Sequence, residues 1–552
     1  MLFGFRFLNF VFMVQISQET KKLILRYQIG EKSSRVADGT PTIHVDEVAS
    51  KVAAFYEKIR GVIDWREEHL LKKSAIERIL KRRIMAGADL LKTDAKESIA
   101  QPLVLDLIRG GHYPNDRIPE IKIGEVQAAI EKYIFVLRNT PQAENGERAL
   151  NFYNWILSIA SCEIEQILSS YYKEKALIDF MFDSIKDRVV LNQGAITTKA
   201  IKEDEKNIQI YIAVQRALFK LDASVISYHL LKYKYPNWRN INQGELMEIS
   251  KNMLQTQDKI QRDLVHPLAD KFYNVCEKYD TPYLLLGDII SEDGQNIEEK
   301  LSNPEALEES IRDAYKKRVL TLKSRLSRAA IYATISIFIT KVILALAIEI
   351  PIDRYLHSFN GTALALNILV PPALMFFLVS TIKVPGKENL ERVVLETMKI
   401  VQETDRKDTY EIKTFKVRRN FLLSSIIDFA YLVSFVVSIG VIVWVLDHLN
   451  FSALSIIIFI AFISLISFAG TRIRQRSKEL QIIEEREGVL GFISDFFAIP
   501  IVEFGKWLSG KWQKYNFVSV LFDILVDMPF AIFVEFIEQW RYFLKERKES
   551  IH

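Results

Sequence analysis

The chain has 552 residues, of which 73 are Lys or Arg and 69 are Asp or Glu, so its formal net charge at pH 7 is +4. This length accommodates about two ordinary soluble domains beside a membrane part. The near-neutral charge argues against a nucleic-acid-binding surface, which requires a clustered excess of Lys and Arg. Cys162 and Cys276 are the only cysteines. They are too few for a disulfide framework or a thiolate metal site, and they indicate a reducing compartment.

The first segment, residues 1–43, is predicted to be partly irregular. Its first twelve residues, MLFGFRFLNFVF, are apolar, but Arg6 is their only base, Asn9 interrupts them and no small-residue cleavage site follows. Translation from Met13 is therefore an open alternative to a signal peptide or a short anchor. The best alternating β-type pattern of the chain, Lys22 to Gln28, also lies here.

Residues 44–303 are predicted to form a cytoplasmic helical domain. Apolar residues recur at intervals near 3.6 between Val52 and Ile84, as in amphipathic helices. The apolar stretch from Leu150 to Ile164 is too short and too polar to span a membrane, so we expect a buried core helix. Two further helices are predicted, from Ile208 to Leu231 and from Leu246 to Leu268. Such helices bury their stripes against one another, which predicts an all-α bundle.

A helix start is indicated at Asn303, Pro304 and Glu305, which supply a side-chain cap, a first-turn proline and a first-turn acid. No Gly or Pro follows until Pro351, so the helix could run for about 70 Å at 1.5 Å per residue. Residues 304–328 are accordingly predicted to be a stalk helix that continues into the membrane.

Four long apolar stretches follow, and each is long enough to cross about 30 Å of hydrocarbon as a helix. They are predicted to form two hairpins, 329–382 and 421–471, joined by a cytoplasmic helical linker, 383–420. The four predicted spans are Ala329 to Ile350, Gly361 to Ile382, Phe421 to Leu446, and Phe451 to Gly470.

The orientation follows from the Lys and Arg residues beside the spans. Six bases lie between Lys316 and Arg328, four between Lys413 and Arg419, and four between Arg472 and Lys478. The two opposite connections hold Arg354 as their only Lys or Arg. This bias predicts that both termini are cytoplasmic. The simple layout and the few cysteines suggest the plasma membrane of a prokaryote.

Residues 472–552 are predicted to hold a stalk extension followed by two amphipathic helices in the cytoplasmic interface. The first runs from Val489 to Phe504 and the second from Phe517 to Leu544, with a kink expected at Pro529. An alternative is that the second segment crosses the membrane, so that its acidic residues line a cavity and the C-terminus lies outside.

Polar residues inside predicted spans are the candidate functional site, because they are costly in lipid. Lys341 lies near the middle of the first span and Glu349 two turns further out, while Asp428 lies about 10 Å into the third span. Lys341 can reach Asp428 if those helices are neighbours. In the second span Pro371 and Pro372 free the carbonyls of Asn367 and Ile368 and predict a helix break. Together these groups resemble the ingredients of a transport site. A structural ion pair with a packing kink is the alternative.

The common signatures of nucleotide-binding, zinc-protease and α/β-hydrolase chemistry are absent from the sequence. His266 and Asp270 are interpreted as a surface pair, and Cys162 as a core thiol. The basic and aromatic stretch from Lys232 to Arg239 is read either as a single-strand-stacking surface or as a helix-end loop at the headgroups, and the charge favours the second.

The sequence therefore predicts a non-enzymatic multi-pass membrane protein, which serves as a scaffold or a subunit of a membrane or envelope assembly. The alternative is a transporter or channel subunit that uses the intramembrane polar residues; an intramembrane hydrolase ranks third. The expected partners are the lipid bilayer and other proteins or further copies of the chain, without nucleic acid, cofactor or metal.

Overall fold

A computed structural model describes fourteen parts of the chain. Predictions for residues 1–14, for the stretch from Val52 to Ile63 and for the beginning of the Phe517 to Leu544 segment lie outside them. The described residues are 15–34, 39–45, 51, 68–86, 98–141, 146–192, 202–292, 296–355, 360–382, 385–402, 409–413, 421–482, 489–515 and 528–549.

The described chain is predominantly helical with almost no strands, as the sequence predicts. Its elements in chain order are α1 Gln18–Ser34, α2 Glu68–Ala86, α3 Ala100–Arg109, α4 Ile121–Asn139, α5 Gly146–Leu168, α6 Tyr172–Ile185, β1 Val189–Asn192, α7 Glu203–Phe219, α8 Ala223–Lys234, α9 Gln243–Lys251, α10 Met253–Leu264, α11 Ala269–Lys278, α12 Asp280–Glu292, α13 Ile297–Ser302, α14 Pro304–Leu344, a π turn Ala345–Glu349, α15 Ile350–Tyr355, α16 Gly361–Ser380, α17 Lys387–Gln402, β2 Tyr410–Lys413, α18 Phe421–His448, α19 Ala453–Ser477, α20 Val489–Tyr515 and α21 Met528–Glu549.

The chain divides into two compact units. The first, which we call the helical unit, contains the described residues up to 307 together with 397–413 and 528–549. The second, which we call the apolar-helix unit, contains the described residues of 308–396 and 421–515.

Helix α5 lies at the centre of the helical unit and packs against α2, α4 and α8. Its residues from Trp155 to Ile164 are all buried, including Ser158, Ser161 and Glu163. This agrees with the expected core helix. A helix that is buried around its whole circumference needs neighbours on every side, and the helices around α5 supply them.

The predicted helix from Ile208 to Leu231 is divided in two in the structure. Lys220, at the end of α7, adopts a left-handed conformation with φ of 50°. Asp222 then caps α8, because its Oδ1 accepts a hydrogen bond from the backbone N–H of Val225 at 2.9 Å. The apolar periodicity continues across this turn, which is why the sequence pattern concealed the break.

The alternating pattern in the N-terminal segment does not form a strand. Residues Gln18–Ser34, which include the alternating stretch from Lys22 to Gln28, form the α-helix α1. Leu23, Ile24 and Tyr27 are buried and share one helical face, and α1 packs against α6. The two strands of the described chain, β1 and β2, instead pair in parallel, with Val189 opposite Tyr410.

A buried polar network joins α4 and α5 to the turn Trp238–Asn240. Lys132 Nζ donates to Glu163 Oε1 at 2.6 Å and to the Trp238 carbonyl at 2.9 Å. Tyr133 donates to Glu163 Oε2 at 2.7 Å and accepts from Trp238 Nε1 at 3.0 Å. Each charge is therefore paired, as groups buried to this depth require. Trp238 is fully buried. Its ring is therefore not available to stack on a single strand or to lie at the headgroups, the two roles considered for the stretch from Lys232 to Arg239.

Replacing Glu163 by Gln should destabilise the protein, because the Lys132 charge then stays buried without its counter-charge. The expected loss in the free energy of unfolding is about 3–5 kcal/mol. Chemical denaturation of the full-length protein in detergent, followed by tryptophan fluorescence, measures it. Glu248→Gln, at an exposed position of α9, is the matched control and should change little. Equal stability of the two variants would contradict the role given to the network.

The apolar-helix unit contains the four helices that the sequence predicts to be long and apolar enough to cross a membrane, and the structure confirms them. They lie within Pro304–Tyr355, Gly361–Ser380, Ser425–His448 and Ala453–Ser477. Helix α14 begins at Pro304 as predicted, and Asn303 Oδ1 accepts from the backbone N–H of Glu305 at 3.1 Å. It continues without interruption into the apolar region, up to Leu344.

Candidate functional site

The first apolar helix carries a buried ion pair. Lys341 lies near the end of α14, and Glu349 is the last residue of the π turn that follows. Lys341 Nζ donates to Glu349 Oε1 at 2.7 Å, and both side chains have 0% exposure. Eight residues correspond to about two helical turns, so both side chains share one face of the helix. A π turn shifts this register locally and is common at functional positions.

Glu349 connects this helix to two others. Asn367 Nδ2, from α16, donates to Glu349 Oε2 at 2.5 Å, and Ser455 Oγ, from α19, donates to the same oxygen at 3.4 Å. Lys341 Nζ also lies 5.0 Å from the ring centroid of Phe462 on α19, within the range of a cation–π interaction. We call these five residues the intramembrane polar cluster, because they lie on helices that are predicted to cross a membrane. It holds one positive and one negative charge, so it is neutral as a whole.

One polar atom of the cluster has no partner. Asn367 has 0% exposure, and among the described residues no hydrogen-bond donor reaches its Oδ1. Pro371 and Pro372 lie one turn further along α16 and are buried. The predicted break at these prolines is not observed, because α16 continues as one helix from Gly361 to Ser380. Neighbouring helices support such prolines within apolar helices.

Asp428 does not belong to the cluster. It lies on α18 and is exposed, while Lys341 is paired with Glu349. The predicted contact between Lys341 and Asp428 is therefore wrong. A partner on the same helical face needs no association of separate helices, which gives Glu349 the advantage over a residue of another hairpin.

Sequence reasoning did not find Ser455 and Phe462 as members of the cluster. Serines and phenylalanines occur in all four apolar helices, so their types carry no signal. At the beginning of α19, the side chain of the cap residue Ser452 accepts a hydrogen bond from the backbone N–H of Ser455. This local contact gives no indication of what the Ser455 side chain binds. Only the packing of α16 against α19 shows that Ser455 faces the carboxylate.

Helix α20, the first of the two predicted interfacial helices, packs against α18 and α19. Ser434 Oγ donates to the Phe496 carbonyl at 2.7 Å, and Ser438 Oγ donates to the Phe497 carbonyl at 3.1 Å. Ser434 lies about 20 Å along α18 from its beginning, near the middle of the helix. Part of α20 therefore packs against the middle of an apolar helix. Glu503 of α20 accepts a hydrogen bond from Tyr431 of α18.

Cys162 and His266, which the sequence also singles out, have ordinary structural contacts. Cys162 is buried, and burial raises the pKa of its thiol well above the usual value, so it stays protonated. His266 contacts Glu205, with 3.4 Å between Nε2 and Oε1, rather than the expected Asp270. Within the part of the chain that the structure describes, no group of three or more His, Cys, Asp or Glu residues is placed to hold a metal ion.

No family model matches this sequence, and neither a curated protein nor a solved structure is detectably similar to the chain.

Replacing either charged member of the cluster should destabilise the apolar-helix unit, because the remaining charge loses its partner. For Lys341→Met or Glu349→Gln alone the expected loss is about 3–5 kcal/mol, whereas the double variant should lose less than the sum of the two. Reversible unfolding in mixed micelles, arranged as a double-mutant cycle, measures the coupling. Asp428→Asn is the matched control at an exposed position. Additive losses without coupling would contradict the pairing.

Gly505 permits a close approach of α20 to α19. A Cβ at this position would overlap the Ser464 carbonyl, whereas a Cβ at Gly510 of the same helix meets nothing within 4 Å. Small residues at such crossings let apolar helices pack closely. Gly505→Ala should therefore cost about 1–3 kcal/mol of stability, measured by the same unfolding assay. Gly510→Ala is the control, since both changes gain the same helix propensity. A neutral Gly505→Ala would exclude the packing described above.

Proposed function

We propose that this protein is a non-enzymatic scaffold or subunit of a membrane or envelope assembly, which carries a helical domain on four membrane-spanning helices. The observation that supports this proposal is the closed state of the intramembrane polar cluster. Lys341 and Glu349 have 0% exposure, and they neutralise each other within 2.7 Å. A neutral, enclosed pair is suited to holding helices together.

A transport site has a different requirement, because its charged groups must exchange their partners with the transported species. Glu349 accepts hydrogen bonds from residues of three helical segments, namely Lys341, Asn367 and Ser455. Separating Glu349 from these donors would leave an unpaired charge in an apolar interior, which costs roughly several kcal/mol. The cluster therefore serves as a tether between the first, second and fourth apolar helices.

The remaining surface of the apolar helices is suited to lipid and to protein partners. On α18, Phe429, Leu432, Val436 and Trp444 are exposed to 67%, 56%, 59% and 67%. Exposed apolar residues on a long apolar helix fit a hydrocarbon environment. No feature of the sequence provides an excess of bases for nucleic acid.

The proposed topology places both termini in the cytoplasm of a prokaryotic cell. The bases before α14 enters its apolar region, before α18 and after α19 support it, because cytoplasmic flanks carry the excess of Lys and Arg. The first half of α14 would then be a cytoplasmic stalk. Helix α21, on which Trp540 and Tyr542 are exposed, would lie at headgroup depth.

A transporter or channel subunit is the second candidate, and one observation favours it. The buried Asn367 Oδ1 has no donor although it lies on the residue that binds Glu349. A cation or a water chain that reached this oxygen would find an acceptor beside a carboxylate. The π turn before Glu349 and the prolines at 371 and 372 would then supply the flexibility of such a path.

Crosslinking in native membranes followed by purification of the full-length protein tests the first candidate. The scaffold proposal predicts that a defined set of other membrane or envelope proteins co-purifies in fixed proportion. Proteoliposomes with the purified protein should show no more Na⁺, K⁺ or proton flux than empty liposomes. Recovery of a homo-oligomer alone, together with a flux that Lys341→Met abolishes and Asp428→Asn leaves intact, would overturn the proposal in favour of transport.

A further inference from the structure

The helical unit contains a partly open cavity that the proposed scaffold role does not explain. Its volume is about 480 Å³, which is within the range of small-molecule sites. Residues of α2, α5, α6, α7 and α8 line it, together with the turn after α3. Its walls combine the aromatic rings of Tyr113, Tyr171 and Phe219 with the carboxylates of Glu165 and Glu174.

Two polar atoms in this wall, the Tyr171 hydroxyl and Glu174 Oε2, are buried and have no hydrogen-bond partner among the residues that the structure describes. Buried polar groups are almost always satisfied, and an unsatisfied carboxylate oxygen is especially costly. Both atoms can accept a hydrogen bond, and the carboxylate can only accept. A ligand that brings N–H groups to this wall would satisfy both atoms as acceptors.

The charges of the wall also favour a cation. Lys73 Nζ is bonded to Asp222 Oδ2 at 2.5 Å, so its charge is neutralised outside the acid pair. Lys72, whose Nζ lies 5.4 Å from the centroid of the Tyr113 ring, then remains as one base against the two carboxylates. When Glu165 and Glu174 are both ionised, a ligand with one positive charge would balance these two carboxylates and Lys72. Tyrosine faces within about 6 Å would add cation–π attraction.

We propose that this cavity binds a small organic ammonium ion, whose N–H groups donate to Glu174 and Tyr171 and whose charge is balanced by Glu165 and Glu174. A free alkylamine and the lysine side chain of a partner protein share this chemistry. The site is remote in sequence from the intramembrane polar cluster and is independent of the scaffold role.

The protonation of Glu165 should respond to the ligand. Burial is the main cause that raises the pKa of Glu165 to about 7; the hydrogen bond with Ser169 and the charge of Lys72 lower the pKa, and the nearby Glu174 contributes a smaller rise. Burial likewise raises the pKa of Glu174, while a backbone hydrogen bond and the charge of Lys173 lower it. The other groups at the wall keep one state near pH 7: burial raises the pKa of Tyr113, Tyr171 and Cys162, and Lys73 stays bonded to Asp222. His229, which is bonded to the wall residue Gln166, is neutral because burial lowers its pKa to about 3. A bound cation favours the charged form of Glu165, so binding should release protons and strengthen from pH 6 to pH 8.

Isothermal titration calorimetry of the full-length protein in detergent tests the proposal. The probes are butylamine, 1,4-diaminobutane, N-acetyl-lysine-N-methylamide and the uncharged butan-1-ol. The expected result is saturable binding of at least one ammonium probe and none of butan-1-ol. Titrations at pH 7 in buffers of different ionisation enthalpy should show proton release. Binding of the free amines assigns a soluble ligand, whereas binding of the lysine amide alone assigns a lysine of a partner protein.

Variants locate the binding within the cavity. Glu174→Gln should weaken the affinity for the ammonium probe by about 10- to 100-fold, which is the range for the loss of a hydrogen bond to a charged group. Tyr171→Phe, which keeps the shape of the wall and all its charges, should weaken it by about tenfold or less. Glu165→Gln should abolish the proton release. Glu248→Gln, exposed on α9, is the matched control and should bind as the unchanged protein does.

Three outcomes would overturn the proposal. One is the absence of saturable binding for every ammonium probe between pH 6 and pH 8, which would leave the cavity to water. Another is equal binding of butan-1-ol, which would show that the cavity recognises apolar volume alone. The third is binding that Glu174→Gln and Tyr171→Phe both leave unchanged while circular dichroism shows that the variants are folded.

Discussion

A charge inside an apolar helix bundle requires its counter-charge within hydrogen-bond distance, and the apolar-helix unit depends on this constraint. Lys341 meets it with Glu349 two turns later on the same face. The carboxylate then has lone pairs left, and Asn367 and Ser455 of two other helices supply donors for them. One ion pair thus selects which helices are neighbours. Apolar packing alone provides little such selection, because lipid tails are as apolar as the side chains they would replace.

The helical unit follows the same rule in a different solvent. Lys132 and Glu163 are buried side by side, and Tyr133 with Trp238 completes their hydrogen bonds. Paired networks of this kind favour one arrangement of the surrounding helices, since any other leaves a charge unpaired. The cavity at Glu174 and Tyr171 departs from the rule, because two of its polar atoms have no partner among the described residues. That departure distinguishes a binding site from a core network.

The features that the sequence predicts well are local. Length and apolarity determine the four membrane-type helices, and Asn303 with Pro304 marks the start of α14. The features that it misses depend on contacts between distant segments. Periodicity continues through the turn at Lys220, and the choice of Glu349 rather than Asp428 depends on which side chains the helices bring together. The contact of α20 with Ser434 and Ser438 is hidden for the same reason, since backbone acceptors have no residue-type signature.

We propose that Lys341 and Glu349 form a permanent, enclosed pair. Solid-state nuclear magnetic resonance of the full-length protein in lipid bilayers tests it most directly, through the dipolar coupling between Lys341 Nζ and the Glu349 carboxylate carbon. The signal is assigned by its loss in Lys341→Met. The account predicts a strong coupling that stays unchanged when Na⁺, K⁺ or protons are added. An absent coupling, or one that these cations weaken, would contradict it.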